Sequence, residues 1–107
     1  AMLNSGAEKE AMSFVNIYDE FGDSADFKFL MGLIYMKNGL FDNAVKEFKK
    51  AVLYKDCKVE GVNSYQAYYN IGVIYECLGY KDKALEYYEQ CGDYENAQNR
   101  EAYIKNN

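Results

Sequence analysis

The sequence predicts an all-α fold, an α–α superhelix in which about six helices stack as antiparallel hairpins. Residues 28–51 and 68–91 carry the same pattern of small and aromatic residues at a constant offset of 40, which is typical of a repeat architecture. The chain has no proline and only eight glycines in 107 residues, which favours uninterrupted helices. No segment alternates apolar and polar residues for long enough to indicate a strand.

Apolar residues recur with the helical period along most of the chain. One stripe covers residues 5–20, and the next segment, 25–37, is hydrophobic on nearly all sides. We therefore expect the helix over 25–37 to be enclosed by neighbours. Asp23 or Ser24 can cap its start, and Gly39 can end it by adopting the left-handed conformation.

The periodicity is interrupted once, at residues 55–63, which predict a loop. Asn63 or Ser64 can cap the helix that follows. The length of the chain fits one domain. Its predicted parts are a half-repeat helix at 5–20, repeats at 25–54 and 64–91, and a terminal capping helix at 94–105 with Arg100 on the side away from its apolar residues.

Two glycines occur at the same phase of the repeated pattern, Gly32 and Gly72. A glycine within a helix costs about 1 kcal/mol relative to alanine, so the repeated pair indicates a close approach by another helix. We expect Ala44 and Ala84 to be the small residues that meet these glycines. The side chains predicted to fill the space between one hairpin and the next are Phe48 and Tyr88.

A combination of small and aromatic residues carries a family resemblance. Its members are Gly32, Tyr35, Gly39, Ala44, Phe48 and Ala51 in the first copy, and Gly72, Tyr75, Gly79, Ala84 and Tyr88 in the second. In these residues the chain resembles the tetratricopeptide-repeat (TPR) family over residues 25–91. It departs from the family in lacking the closing proline and in its period of 40, against about 34.

The TPR resemblance implies a non-catalytic module that binds a protein or peptide in a concave groove. The implied lining residues are Asp26, Phe29, Leu33, Met36 and Lys37, then Gln66, Tyr69, Val73, Glu76 and Cys77. Phe29, Leu33 and Val73 could equally be core residues, whereas Tyr69 and Met36 have side chains suited to partners. An apolar, tyrosine-rich lining favours a hydrophobic or aromatic-containing segment, which another domain of the parent protein could supply.

A narrower resemblance concerns residues 59–97, which are similar to the carboxy-terminal TPR segment of certain bacterial family 2 glycosyltransferases. In those proteins a catalytic nucleotide-sugar domain precedes the repeats. That resemblance implies an accessory region that positions an acceptor or mediates oligomerisation, with the transferase chemistry elsewhere in the parent protein.

The residue types give no indication of catalysis, a cofactor or a metal. The chain has no histidine, which removes the commonest general base and metal ligand. Cys57, Cys77 and Cys91 lack the close pair that structural zinc sites usually use. The glycines do not cluster into a phosphate-binding loop.

The net charge of −5 is unevenly distributed, because residues 28–58 carry seven lysines against three acids. We predict that this band forms a solvated convex face and not a nucleic-acid site. An RNA-binding helical repeat is the alternative that the lysines at 46–58 leave open. No apolar run of membrane-spanning length and no signal peptide is visible. We therefore expect a cytoplasmic module, with exposed repeat edges that could form a homodimer.

Overall fold

The computed structural model describes residues 24–106, which form five α-helices and no strand. The helices are α1 (Ala25–Lys37), α2 (Phe41–Ala51), α3 (Tyr65–Cys77), α4 (Lys81–Glu89) and α5 (Glu95–Lys105). The predicted all-helical fold is therefore confirmed for this part of the chain. The helix predicted at residues 5–20 lies outside the described residues.

Each helix packs mainly against its neighbours in the chain. α1 packs against α2 and α3 against α4, which gives two helical hairpins. α3 also packs against α2, and α5 packs against α4. This succession of contacts is the arrangement of a helical-repeat stack, in which each unit buries its apolar face against the next.

The ends of the helices follow local signals in the sequence. The backbone N–H of Phe27 donates to Ser24 Oγ at 3.1 Å, so Ser24 caps α1 as predicted. Gly39 and Gly79 have φ angles of 75° and 88°, the left-handed conformation that ends a helix at low cost for glycine. The tight turns that follow return the chain antiparallel along the helix just completed.

The start of α3 differs from the prediction. Ser64 is the N-cap residue, but its side chain makes no capping hydrogen bond. The Asn63 side chain instead donates to the carbonyl of Tyr54 at 2.9 Å and accepts from the Cys57 thiol at 3.2 Å. The polar side chain at this position therefore stabilises the preceding loop and not the helix.

The contacts of the two helical glycines also differ from the prediction. A Cβ atom added to Gly32 would lie 2.5 Å from Cε1 of Phe48, and one added to Gly72 would lie 2.6 Å from Cε1 of Tyr88. Both rings are fully buried. The atoms nearest each glycine belong to an aromatic ring of the same hairpin and not to the predicted alanine, because the glycine has no side chain to hold the ring away.

The buried residues form two clusters that share α3. The first joins α1 and α2 to Ala67, Ile71 and Ile74 of α3. The second joins α4 and α5, and tyrosines of α3 pack against it. α3 therefore contributes to both cores, and it is the element that fixes the second hairpin relative to the first.

Candidate protein-binding surface on the first helices

The residues predicted to line a groove all lie on α1 and α3, the first helix of each hairpin. They occupy equivalent positions in the two copies, because each residue of the first set is separated by 40 positions from one of the second. They differ in whether their side chains already make contacts within the fold. The pairs are Asp26 and Gln66, Phe29 and Tyr69, Leu33 and Val73, Met36 and Glu76, and Lys37 and Cys77.

Asp26 and Gln66 hold the loop between the two hairpins. The Asp26 carboxylate accepts backbone hydrogen bonds from Lys58 at 2.9 Å and from Val59 at 2.8 Å. The Gln66 side-chain amide donates to the carbonyl of Glu60. Side chains in the first turns of α1 and α3 thus bind the same loop. Asp26 and Gln66 are engaged in these hydrogen bonds, so they hold the loop in place and do not contact a partner.

Phe29 and Tyr69 take part in equivalent aromatic contacts. Phe29 is only 9% exposed, and its ring centroid lies 5.4 Å from that of Phe48. The Tyr69 ring lies 5.8 Å from that of Tyr88 and meets the ring of Tyr94 edge-on at 5.5 Å. Phe29 belongs to the core, whereas Tyr69 is half-buried and keeps part of its surface accessible.

Glu76 is the centre of a polar network that joins three helices. Its carboxylate accepts a hydrogen bond from the Tyr88 hydroxyl of α4 at 2.7 Å. Both Nε and Nη2 of Arg100, on α5, donate to the two oxygens of the same carboxylate. This two-point pairing is the strong geometry for a guanidinium and a carboxylate. The Arg100 guanidinium also lies 4.7 Å from the centre of the Tyr103 ring.

The network stabilises one protonation state of each member. Hydrogen bonding to Arg100 holds the pKa of Glu76 below its usual value. Burial, followed by the hydrogen bond to Glu76, raises the pKa of Tyr88. Near neutral pH the carboxylate is therefore charged and the phenol protonated. The arrangement ties helices together and offers no group poised for proton transfer.

The side chains that remain accessible are mainly apolar. Leu33, Met36 and Val73 are half-buried, and Lys37 and Cys77 are exposed. Leu33 and Met36 pack against the first core cluster and Val73 against the second. The accessible members of the predicted lining are therefore half-buried apolar side chains of α1 and α3, each packed against a core, with Lys37 exposed at the end of α1.

Sequence reasoning missed Arg100 as a partner of this surface. It placed Arg100 on the outward side of the last helix, whereas the structure brings it onto Glu76, 24 residues earlier. No local spacing indicates a contact over that separation. The only hint is the difference between the copies, since the first copy has Met36 at the position of Glu76.

The described residues contain no group of three or more metal-binding side chains. The cysteines are unpaired: Cys77 is exposed, Cys57 is half-buried, and Cys91 is buried. The Cys91 Sγ lies 3.4 Å from the carbonyl oxygens of both Tyr65 and Tyr87, either of which can accept its single S–H, and burial raises the pKa of this thiol to about 11. Across residues 24–106, no helix is both long enough and apolar enough to cross a membrane.

Comparison with known families agrees with this geometry. The family model for the tetratricopeptide repeat matches residues 25–56 and 65–98, which together make up more than half of the chain. The chain therefore belongs to the tetratricopeptide-repeat family, whose repeats generally mediate protein–protein interactions. No curated protein matches the chain.

Proposed function

We propose that this chain is a protein-interaction module that binds an apolar or aromatic-containing segment of a partner along α1 and α3. The proposal is supported by the burial of Leu33, Met36 and Val73, which are half-buried and each packed against one of the two cores. We name these three side chains the first-helix surface. Methionine and branched aliphatic side chains suit an apolar partner, and methionine adapts to partners of different shape.

The other predicted groove residues support binding indirectly. Asp26 and Gln66 fasten the loop, while Phe29 and Glu76 are bound within the fold. A surface whose neighbours are already ordered loses less conformational entropy when a partner binds, and this improves affinity. Tyr69, packed between the rings of Tyr88 and Tyr94, would offer a rigid aromatic edge on α3.

The proposal is tested by selecting a binding peptide from a displayed random library on the whole chain and then measuring its affinity by fluorescence polarisation. We expect Met36→Ala to weaken binding roughly tenfold, the effect of losing a well-packed anchor residue. Lys37→Glu should alter binding according to the charge of the selected peptide. Leu53→Ala, which removes an exposed leucine outside α1 and α3, is the matched control and should leave binding unchanged.

Thermal melts followed by circular dichroism show whether each variant remains folded. Unchanged affinity for both Met36→Ala and Lys37→Glu in folded protein would remove the first-helix surface as the binding site. If Leu53→Ala weakened peptide binding as much as the other two variants, the selected peptide would not bind at the first-helix surface.

A second candidate function is an accessory region of a bacterial glycosyltransferase. It rests on the sequence resemblance of residues 59–97 described above; no curated protein matches the chain. The role would be to position an acceptor or to mediate oligomerisation. The sequence of the complete parent protein tests it: a nucleotide-sugar domain before the repeats supports this function, and its absence contradicts it.

A further inference from the structure

A cleft of about 280 Å³ lies between α2 and the end of α3. Ile74 and Val45 form its buried floor, and Leu78 at its rim is 44% exposed. Its complete lining is Phe41, Asp42, Val45, Lys46 and Lys49 of α2, with Ile74, Tyr75 and Leu78 from α3 and its C-cap. We name it the lysine cleft.

Three lysines lie in or next to the cleft. Lys46 and Lys49 belong to its lining, and Lys83 Nζ lies 5.4 Å from the centre of the Tyr75 ring. All three are exposed, and within residues 24–106 none forms an ion pair with a carboxylate. Asp42 is the acidic residue of the lining, so the balance of charge around the cleft stays positive although the chain as a whole is acidic.

The lysine cleft is distinct from the first-helix surface. With about 3.6 residues per helical turn, Val73 and Glu76 project from one side of α3. Tyr75 and Leu78 project from roughly the opposite side. A ligand in the cleft would therefore leave the first-helix surface open.

The two tyrosine rings at the cleft, Tyr75 and Tyr87, are covered on their faces. The Tyr75 and Tyr87 rings stack with centroids 5.7 Å apart and planes inclined by 22°. Lys49 lies 6.0 Å from the centre of the Tyr87 ring, and Lys83 lies over Tyr75. Single-stranded nucleic acids bind by stacking bases on open aromatic faces, which these two tyrosines do not provide. The cleft provides ammonium groups beside an apolar floor.

We propose that the lysine cleft is a second docking site, whose occupant is an acidic segment of another protein that places an apolar side chain on the floor formed by Val45 and Ile74. Carboxylates of the segment would pair with Lys46, Lys49 and Lys83, so the positive rim would set the choice of partner and the apolar floor would hold it. The inference does not depend on the first-helix surface.

The test uses the whole chain and a fluorescein-labelled peptide in which glutamates flank a Leu-Phe pair. We expect saturable binding that weakens with salt. It should also weaken roughly tenfold in the Lys46→Glu/Lys49→Glu double variant. The matched control, Lys55→Glu/Lys105→Glu, makes the same change of charge at exposed lysines outside both the cleft and the first-helix surface and should bind nearly as wild type. Circular dichroism melts establish that both variants fold.

Two further probes distinguish binding in the lysine cleft from nonspecific attraction between lysines and anions. A peptide with alanines in place of the Leu-Phe pair should bind more weakly, since it cannot use the apolar floor. A single-stranded oligonucleotide of equal charge should compete poorly. The proposal is overturned if both double variants lose binding equally, if wild type does not bind the acidic peptide, or if the oligonucleotide competes as well as the peptide.

Discussion

At Gly32 and Gly72 an aromatic ring occupies the space that a side chain would need. Alanine at a helical position is ordinarily favoured over glycine by about 1 kcal/mol. Here the added Cβ would lie 2.5 Å and 2.6 Å from ring carbons of Phe48 and Tyr88, well inside the distance of ordinary contact. Because the rings are fully buried, they have little room to retreat.

We predict that Gly72→Ala lowers the free energy of unfolding by about 1–3 kcal/mol, since overpacking outweighs the gain in helix propensity. Chemical denaturation measures the change. In a Tyr88→Leu background the same substitution should be neutral or stabilising, because the ring is absent. Wild-type stability for Gly72→Ala alone would contradict the contact.

At this scale the sequence predicted the close approach but not the residue that makes it. The equal spacing of Gly32 and Gly72 indicated that something lies against the helix. We expected Ala44 to make this contact and Phe48 to fill the space between the hairpins. Residues 44 and 48 are four positions apart and share one face of the second helix, so their spacing does not decide which of them lies nearest the glycine. The structure places the ring there in both hairpins.

The loop between α2 and α3 is fastened to both first helices. Asp26 on α1 binds the backbone of Lys58 and Val59, and Gln66 on α3 binds the carbonyl of Glu60. Val62 within the loop is buried against the first core. The segment that makes this repeat period longer than usual is therefore part of the folded unit.

We predict that Asp26→Ala makes this loop more susceptible to trypsin, which cleaves after Lys55 and Lys58, because two backbone N–H groups lose their acceptor. The measurement is the rate of cleavage within the loop under native conditions. Asp42→Ala, which removes an acid from the first turn of α2, is the control and should leave the rate unchanged. Equal cleavage rates for the two variants would show that the hydrogen bonds to Asp26 do not limit opening of the loop.

The helix boundaries were largely predictable, whereas the hydrogen bonds between Asp26 and the loop were not. Gly39 and Gly79 end helices through their backbone conformation, and that property is written locally in the sequence. The bonds from Asp26 span more than 30 residues, and an aspartate in the first turn of a helix has an adequate local explanation in the helix dipole. Because the helix dipole already accounts for an aspartate at this position, Asp26 in the sequence does not indicate a distant contact.

Over the whole of the described chain, one ionic network connects the later helices. Glu76 on α3 binds Tyr88 on α4 and Arg100 on α5. The carboxylate is largely buried, with 17% of its side chain exposed. Breaking such a pair leaves an uncompensated buried charge, which is costly. The last helix is therefore held by more than its apolar contacts.

We predict that this network makes stability depend on acid pH. The folded pKa of Glu76 lies below its ordinary value of 4.5, so the unfolded chain takes up this proton first as the pH falls. The stabilisation is complete above 4.5 and is lost as the pH drops through the folded pKa. The difference in melting temperature between wild type and Glu76→Gln should therefore be largest near neutral pH and shrink in acid. A difference that stays constant would contradict the assignment.

Two of the positions at which the second hairpin differs from the first are linked, and together they make the order of the hairpins matter. Phe48 and Met36 have become Tyr88 and Glu76, 40 residues on, and the new hydroxyl is bound by the new carboxylate. That carboxylate in turn needs the arginine of α5. A chain in which the two hairpins were exchanged would separate Glu76 from Arg100. A consensus array built from the second hairpin alone would need an arginine after every copy. The two repeats are alike in backbone but are not interchangeable parts.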